Sequence, residues 1–245
     1  TLPQSSTVCI ATDTRVSRDV IKEAITTGLL SCGVNVVDLG ILPTPALALL
    51  TRESGFAAGI MVTASHNPPK FNGIKLFTEN SLGYSQTQEI EIEKIFFEKQ
   101  FRQGKKGTLE QGKDMKQRYL SFIKGTLSLT GFKQQPGMGG GCDDGGRFRE
   151  GKLSLPGFNN RLKVVVDPGN GAASKFASDI FIQMGLNVLP VNDEPDGLFP
   201  GRSPEPKEDT LQGTFDFLRQ HNADLAVCFD GDADRVVFCD KEGFL

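Results

Sequence analysis

Residues 60–77 read Ile-Met-Val-Thr-Ala-Ser-His-Asn-Pro-Pro-Lys-Phe-Asn-Gly-Ile-Lys-Leu-Phe. The apolar run from Ile60 to Thr63 suits a buried strand. Asn67, Pro68 and Pro69 end it, because proline locks its own φ and restricts the residue before it. Asn72-Gly73 turns the chain, and Ile74 to Phe77 begin a second strand. Parallel neighbours need a crossover of about a dozen residues, so strands this close in sequence are expected to pair antiparallel. Ser65 is left on a stiff loop just past a strand end, where open α/β sheets bind their ligands. A stiff loop suits a group that must be aimed, which makes Ser65 the first candidate for chemistry.

Upstream, Val8 to Ala11 form a short strand that runs into Thr12-Asp13-Thr14-Arg15. A helix follows, with Ser17 as its N-cap and Asp19 in its first turn. Gly33 stops it, and Val34 to Leu39 make the next strand. Thr44 reads as an N-cap before Pro45, opening a helix to about Arg52. Downstream of the central stretch, helices are expected over 86–103 and 114–124, the second closed by Gly125. Residues 137–146 are dominated by glycine, with too little apolar surface to order themselves. A glycine-rich phosphate cradle is the sharper reading there, but no strand leads into the segment.

The second half begins with a strand, Leu162 to Val166, followed by Asp167, a helix and a stop at Gly185. Further strands are read at Leu186 to Val191, Ala223 to Phe229 and Val236 to Cys239, with a helix starting near Asp209. This order repeats the first half: a strand ending in aspartate (Asp13, Asp167), a helix, a glycine stop (Gly33, Gly185), then strand, helix, strand, polar loop and short strand. An internal repeat predicts two similar units. The fold class is therefore α/β, as two three-layer α/β/α domains with mixed, mostly parallel sheets. Their expected limits are 1–133 and 161–245, joined by a linker or insertion over 134–160. The repeat sets the Ser65 loop and the loop after Phe229 at matching positions.

Composition narrows the function. The chain has 245 residues, 38% of them apolar and 23% charged, and a net charge of −3. No long basic run supports a nucleic-acid partner, and no apolar run approaches the length of a membrane span. The start lacks the pattern of a secretory signal. The five cysteines include no Cys-x-x-Cys pair, which suits buried, reduced thiols and a cytoplasmic location.

Asp230-Gly231-Asp232-Ala233-Asp234-Arg235 follows the apolar strand ending at Phe229. Three carboxylates at alternate positions resist joint ionisation unless a cation neutralises them. An EF-hand loop is excluded, since its glycine and glutamate positions hold Arg235 and Lys241. Oxygen ligands with open positions for water and phosphate favour magnesium. An acidic surface turn is the bland alternative.

Together, the TASHNPPKFNGIK and DGDADR stretches resemble the α-D-phosphohexomutases, which comprise phosphoglucomutases, phosphomannomutases and phosphoglucosamine mutases. The resemblance runs from Thr7 to Phe244 and corresponds to the first two of that family's four domains. It implies that Ser65 carries a phosphoryl group, and that Asp230, Asp232, Asp234 and an oxygen of Ser65 bind Mg2+. It implies that Lys75 is an acid or base, and that Arg235 lies near the transferring phosphate. Asp13-Thr14-Arg15 and Ser17 match a D-x-R-x-S segment, and Arg15, with Asn67 of the Ser65 loop, is a candidate phosphate ligand. Ala11 stands where glycine is usual. His66 is a site neighbour, for proton transfer or for holding the loop. The implied partners are hexose 1-phosphates, hexose 6-phosphates and hexose 1,6-bisphosphates. With two of the family's domains lacking a counterpart, the chain is expected to bind magnesium but to be a poor mutase alone. Two alternatives stand beside this reading: a metal-dependent phosphatase with an aspartate nucleophile, and a non-catalytic sugar-phosphate-binding relative. The segments cited recur across the glucose, mannose and glucosamine branches and do not select the sugar.

Overall fold

The computed structural model describes residues 2, 3, 5–101, 103–129 and 162–243. The expected linker over 134–160, its glycine-rich run and Cys142 lie outside the described residues. The elements run β1 (Thr7–Thr12), α1 (Arg18–Ser31), β2 (Asn35–Ile41), α2 (Thr44–Glu53), β3 (Ala58–Val62), β4 (Ile74–Thr78), α3 (Gln86–Phe97), β5 (Leu109–Gln111) and α4 (Met115–Leu129). They continue with β6 (Lys163–Asp167), α5 (Phe176–Gln183), β7 (Asn187–Pro190), α6 (Gln212–Gln220), β8 (Leu225–Phe229) and β9 (Val236–Cys239).

The strands make two sheets, ordered β4-β3-β1-β2-β5 and β7-β6-β8-β9. Read from its other edge, the second is β9-β8-β6-β7 and matches four strands of the first, position for position. β1 is parallel to both β2 and β3, and β4 is antiparallel to β3. Likewise β6 is parallel to β7 and β8, and β9 is antiparallel to β8. The repeat read in the sequence is thus a repeat of topology. The glycine stops also match: Gly33 and Gly185 have φ of +80° and +87°, the left-handed conformation that ends a helix without a Cβ penalty.

Alternation along each central strand builds two cores, one on either face of each sheet. Val8 and Ile10 of β1 pack with Ile21, Ile25 and Leu29 of α1. Cys9 and Ala11, facing the other way, pack with Ala46, Leu47 and Leu50 of α2 and with Met115 and Tyr119 of α4. In the second sheet Val164 and Val166 face Ala177 and Phe181 of α5, while Val165 faces Phe215 and Leu218 of α6. Each sheet therefore has helices on both sides, the arrangement that near-continuous apolar strands require.

Several expectations shift. α3 ends at Phe97 rather than 103, although it opens on a full capping box between Ser85 and Gln88. α4 passes through Gly125 and reaches Leu129, since one glycine in a helix interior costs only about 1 kcal/mol. α6 starts at Gln212, after a loop in which the Thr210 hydroxyl is bonded to backbone. Thr44 lies within α2, with Pro43 at the cap. β5 was not anticipated, being three exposed residues at a sheet edge. Among the described residues, no helix is long and apolar enough to cross a membrane.

The two sheets, each with its helices, form lobes that meet along a close seam. The Thr14 hydroxyl donates to Asn170 O at 3.0 Å, and Thr44 N donates to Asp232 O at 2.9 Å. A Cβ at Gly197 would lie 2.3 Å from Thr14 O, so only glycine fits that seam.

Candidate active site

Ser65 sits two residues beyond Thr63, at the end of β3, with φ at +52°. A residue with a Cβ holds this left-handed conformation only where its surroundings enforce it. They do so here. Ser65 N donates to Thr63 Oγ1 at 2.8 Å, and that hydroxyl donates to Asp13 Oδ2 at 2.8 Å. Arg15 Nη2 donates to Ser65 O and Asn67 O at 2.8 and 2.7 Å, and Nη1 to Pro68 O and Phe71 O, both at 2.8 Å.

The acidic loop leaves β8 in the other lobe. Asp230 Oδ1 accepts from Arg235 N at 3.1 Å, and Ala233, at φ +57°, bends the backbone between the later carboxylates. One oxygen from each of Asp230, Asp232 and Asp234 falls within 4.8 Å of the others.

The two loops touch. Ser65 Oγ donates to Asp230 Oδ2 at 2.7 Å. Lys75 of β4 reaches across to Asp232 Oδ2 and Asp234 Oδ2, both at 2.7 Å. Arg235 lies 3.4 Å from Asp230 Oδ2 through Nε and 3.5 Å from Ser65 Oγ through Nη2. Gly231 makes the contact possible: a Cβ there would stand 2.5 Å from Ser65 O. Beside Lys75 and Asp234 the surface opens into a depression of about 790 Å3 bordered by Thr44, Phe77 and Tyr84, a size common for small-molecule sites.

Electrostatics separate the carboxylates. Burial, with the neighbouring Asp232 charge, pushes Asp230 up to about 6. Asp232 is also buried, which works in the same direction, but the hydrogen bonds from Lys75 and Thr44 outweigh it and hold Asp232 below the usual range. Burial opposes the charge on Lys75, yet its two carboxylate partners leave its pKa raised, so it is an ammonium at neutral pH.

The donor set fits a hard cation. The candidate ligands are all oxygens, and Asp232 Oδ1 is buried without a hydrogen-bond partner. A buried carboxylate oxygen left unpaired is costly, and a coordinated cation would satisfy it. Asp232 Oδ2 is engaged by Lys75 at 2.7 Å and by Thr44 Oγ1 at 2.5 Å, which leaves Oδ1 as the oxygen free to coordinate.

The structure thus brings Ser65, Lys75, Asp230, Asp232, Asp234 and Arg235 together. His66 adjoins them, and its Nδ1 is buried without a partner. The Asn67 side chain is exposed, while its carbonyl is taken by Arg15. Arg15 requires a correction. It is fully buried, and every N–H of its guanidinium is engaged by Asp13 or by loop carbonyls. It has no donor left for a phosphate and acts on the Ser65 loop from behind. Thr44 was missed as a site residue. The proline after it pointed to helix capping, and its actual partner belongs to the other lobe.

Comparison with known proteins gives the family. Residues 1–103 match the model of the phosphoglucomutase/phosphomannomutase alpha/beta/alpha domain I, and residues 156–243 that of domain II. The chain belongs to the phosphoglucomutase/phosphomannomutase family. It is similar to a phosphoglucomutase/phosphomannomutase of Thermococcus kodakarensis, 36% identical over 96% of this chain and 47% of that protein. It is also similar to a phosphoglucosamine mutase of Limosilactobacillus reuteri, 37% identical over 96% of this chain and 47% of the relative. A solved phosphoglucomutase/phosphomannomutase family protein from Burkholderia thailandensis superposes with a TM-score of 0.77 at 29% identity, over 97% of this chain and 47% of that one. The chain spans about half the length of the curated relatives it matches.

Proposed function

We propose that this chain supplies the phosphoserine and metal-binding parts of a phosphohexomutase, with domains over 1–133 and 161–245. The enzyme moves phosphate between C1 and C6 of a hexose phosphate through a hexose 1,6-bisphosphate. The observation that carries this reading is the 2.7 Å hydrogen bond between Ser65 Oγ and Asp230 Oδ2, which joins a strained serine to an acidic triad across the seam.

Ser65, Asp230, Asp232 and Asp234 would hold magnesium, the hard ion that accepts few protein oxygens and keeps positions for phosphate and water. When bound, magnesium neutralises charge on the phosphoryl group. Ser65 Oγ carries that group. In transfer, the P–O bond to Ser65 breaks as a bond forms to a sugar hydroxyl. The hydroxyl proton passes to a base, and Ser65 Oγ regains a proton. Lys75, kept charged by its two carboxylates, is suited to give that proton and, once neutral, to take one in the return step. Arg235 holds phosphoryl oxygens, and Asn67 and His66 line the approach. The chain's partners on this reading are hexose 1- and 6-phosphates and their bisphosphate.

Incubating the chain with a hexose 1,6-bisphosphate and Mg2+ and then weighing it intact tests the proposal. A species about 80 Da heavier, mapped to Ser65 and absent from Ser65→Ala, is expected. No mass gain, or a phosphoryl group on another residue, overturns it.

A further inference from the structure

Behind the two loops, the lobes contain the same arrangement of side chains, built from aspartates that the repeat matches and arginines that it does not. In the first lobe Asp13 follows the central strand β1. Its Oδ1 accepts from the backbone N two residues on, Arg15 N, at 3.0 Å. Its Oδ2 accepts from Arg15 Nε at 2.9 Å and from Thr63 Oγ1 at 2.8 Å. In the second lobe Asp167 ends the central strand β6. Its Oδ1 accepts from the backbone N two residues on, Gly169 N, at 2.8 Å, and its Oδ2 from Arg202 Nε at 2.9 Å and Thr214 Oγ1 at 2.5 Å. Both aspartates and Arg15 are fully buried, and Arg202 is nearly so.

The free ends of the two guanidiniums do matching work. Arg15 gathers the carbonyls of Ser65, Asn67, Pro68 and Phe71, the whole bend that carries Ser65. Arg202 Nη2 donates to Phe229 O at 2.6 Å, the carbonyl immediately before Asp230, and to Asp167 O at 3.1 Å, while Nη1 donates to Ser203 O. Phe199 of the second lobe lies over the Arg15 guanidinium, 5.3 Å from ring centre to Cζ, and closes it from solvent.

We propose that Arg15 and Arg202 are paired positioning residues, each held by a strand-end aspartate, that separately set the Ser65 loop and the Asp230 loop in register. Neither touches the reacting atoms. A planar fork with fixed donors is what such a bend needs, and lysine cannot replace it. The function assigned to the loops rests on the reading above, but the clamp itself is testable without it.

The test is amide hydrogen exchange on the whole chain and on Arg15→Lys and Arg202→Lys. Arg15→Lys is expected to speed exchange over 64–71 by about tenfold or more and to leave 230–235 as in the parent. Arg202→Lys is expected to do the reverse. The near-isosteric Thr63→Val and Thr214→Val should give the same split at smaller amplitude, and they decide the matter if a lysine variant does not fold. Both loops loosening equally in every variant, or neither changing, overturns the proposal. Two further readouts separate it from the functional reading. Mn2+ should bind about tenfold more weakly to Arg202→Lys and within about twofold of the parent to Arg15→Lys, whereas Ser65 phosphorylation by a hexose 1,6-bisphosphate should slow chiefly in Arg15→Lys. If the exchange split holds but the parent neither binds Mn2+ nor takes up phosphate, the functional reading fails and the clamp stands. If the parent does both and the split is absent, the clamp fails alone.

Discussion

The two lobes share strand order, helix placement and a buried aspartate–arginine pair, yet their reacting loops have opposite character. After β3 the loop is stiffened by two prolines and presents one hydroxyl. After β8 it is short, bends at Ala233 and presents three carboxylates. One scaffold used twice therefore delivers two complementary loops to a common seam, and the candidate site lies in the few residues that differ between them. The shared parts set position, and the unshared parts set charge.

If the buried pairs are equivalent, breaking either should hurt equally. Asp13→Asn and Asp167→Asn each leave a buried arginine without its counter-charge and should each cost about 3–5 kcal/mol, read as a large fall in thermal midpoint. A variant that tolerates one loss but not the other breaks the equivalence. The seam comes next. Gly231→Ala drives a Cβ against Ser65 O and should cost about 1–3 kcal/mol, with slower Ser65 phosphorylation. Gly213→Ala, in α6 with open space around the added methyl, is its control and should be harmless or slightly stabilising.

Smaller effects sharpen the contrast in charge. Lys75→Met removes the ammonium that competes with a cation for Asp232 and Asp234, so Mn2+ should bind about tenfold more tightly while phosphoryl transfer falls. Thr44→Val removes one hydroxyl from Asp232 and should weaken Mn2+ binding by about 1 kcal/mol in a calorimetric titration. Least of all, Cys9 should resist alkylation at pH 8 in the folded chain. Burial pushes its thiol up to about 11, and the reactive thiolate is scarce below that value.

Much of this was legible in the sequence. The apolar runs and glycine stops marked eight of the nine strands among the described residues, and the strand-end aspartates exposed the repeat. The short link from Ser65's strand to Ile74 gave the antiparallel pair. The proline-stiffened loop and the alternating carboxylates singled out the groups that meet at the seam. What escaped were long-range partnerships. Arg15 follows its aspartate by two residues, whereas Arg202 lies 35 residues beyond Asp167, so no local pattern equates them. Thr44 bonds a residue 188 positions away, and its hydroxyl looked like an ordinary cap. β5 has neither length nor an apolar face, and only its pairing with β2 makes it a strand.

The central claim is that a phosphoryl group carried by one lobe is handled by a cation held on the other. Phosphorus NMR of the Ser65-phosphorylated chain, titrated with Mn2+, tests this most directly. One equivalent should broaden the phosphoserine resonance beyond detection, and Asp232→Asn should need far more. A resonance that stays sharp at one equivalent of bound Mn2+ would contradict the account.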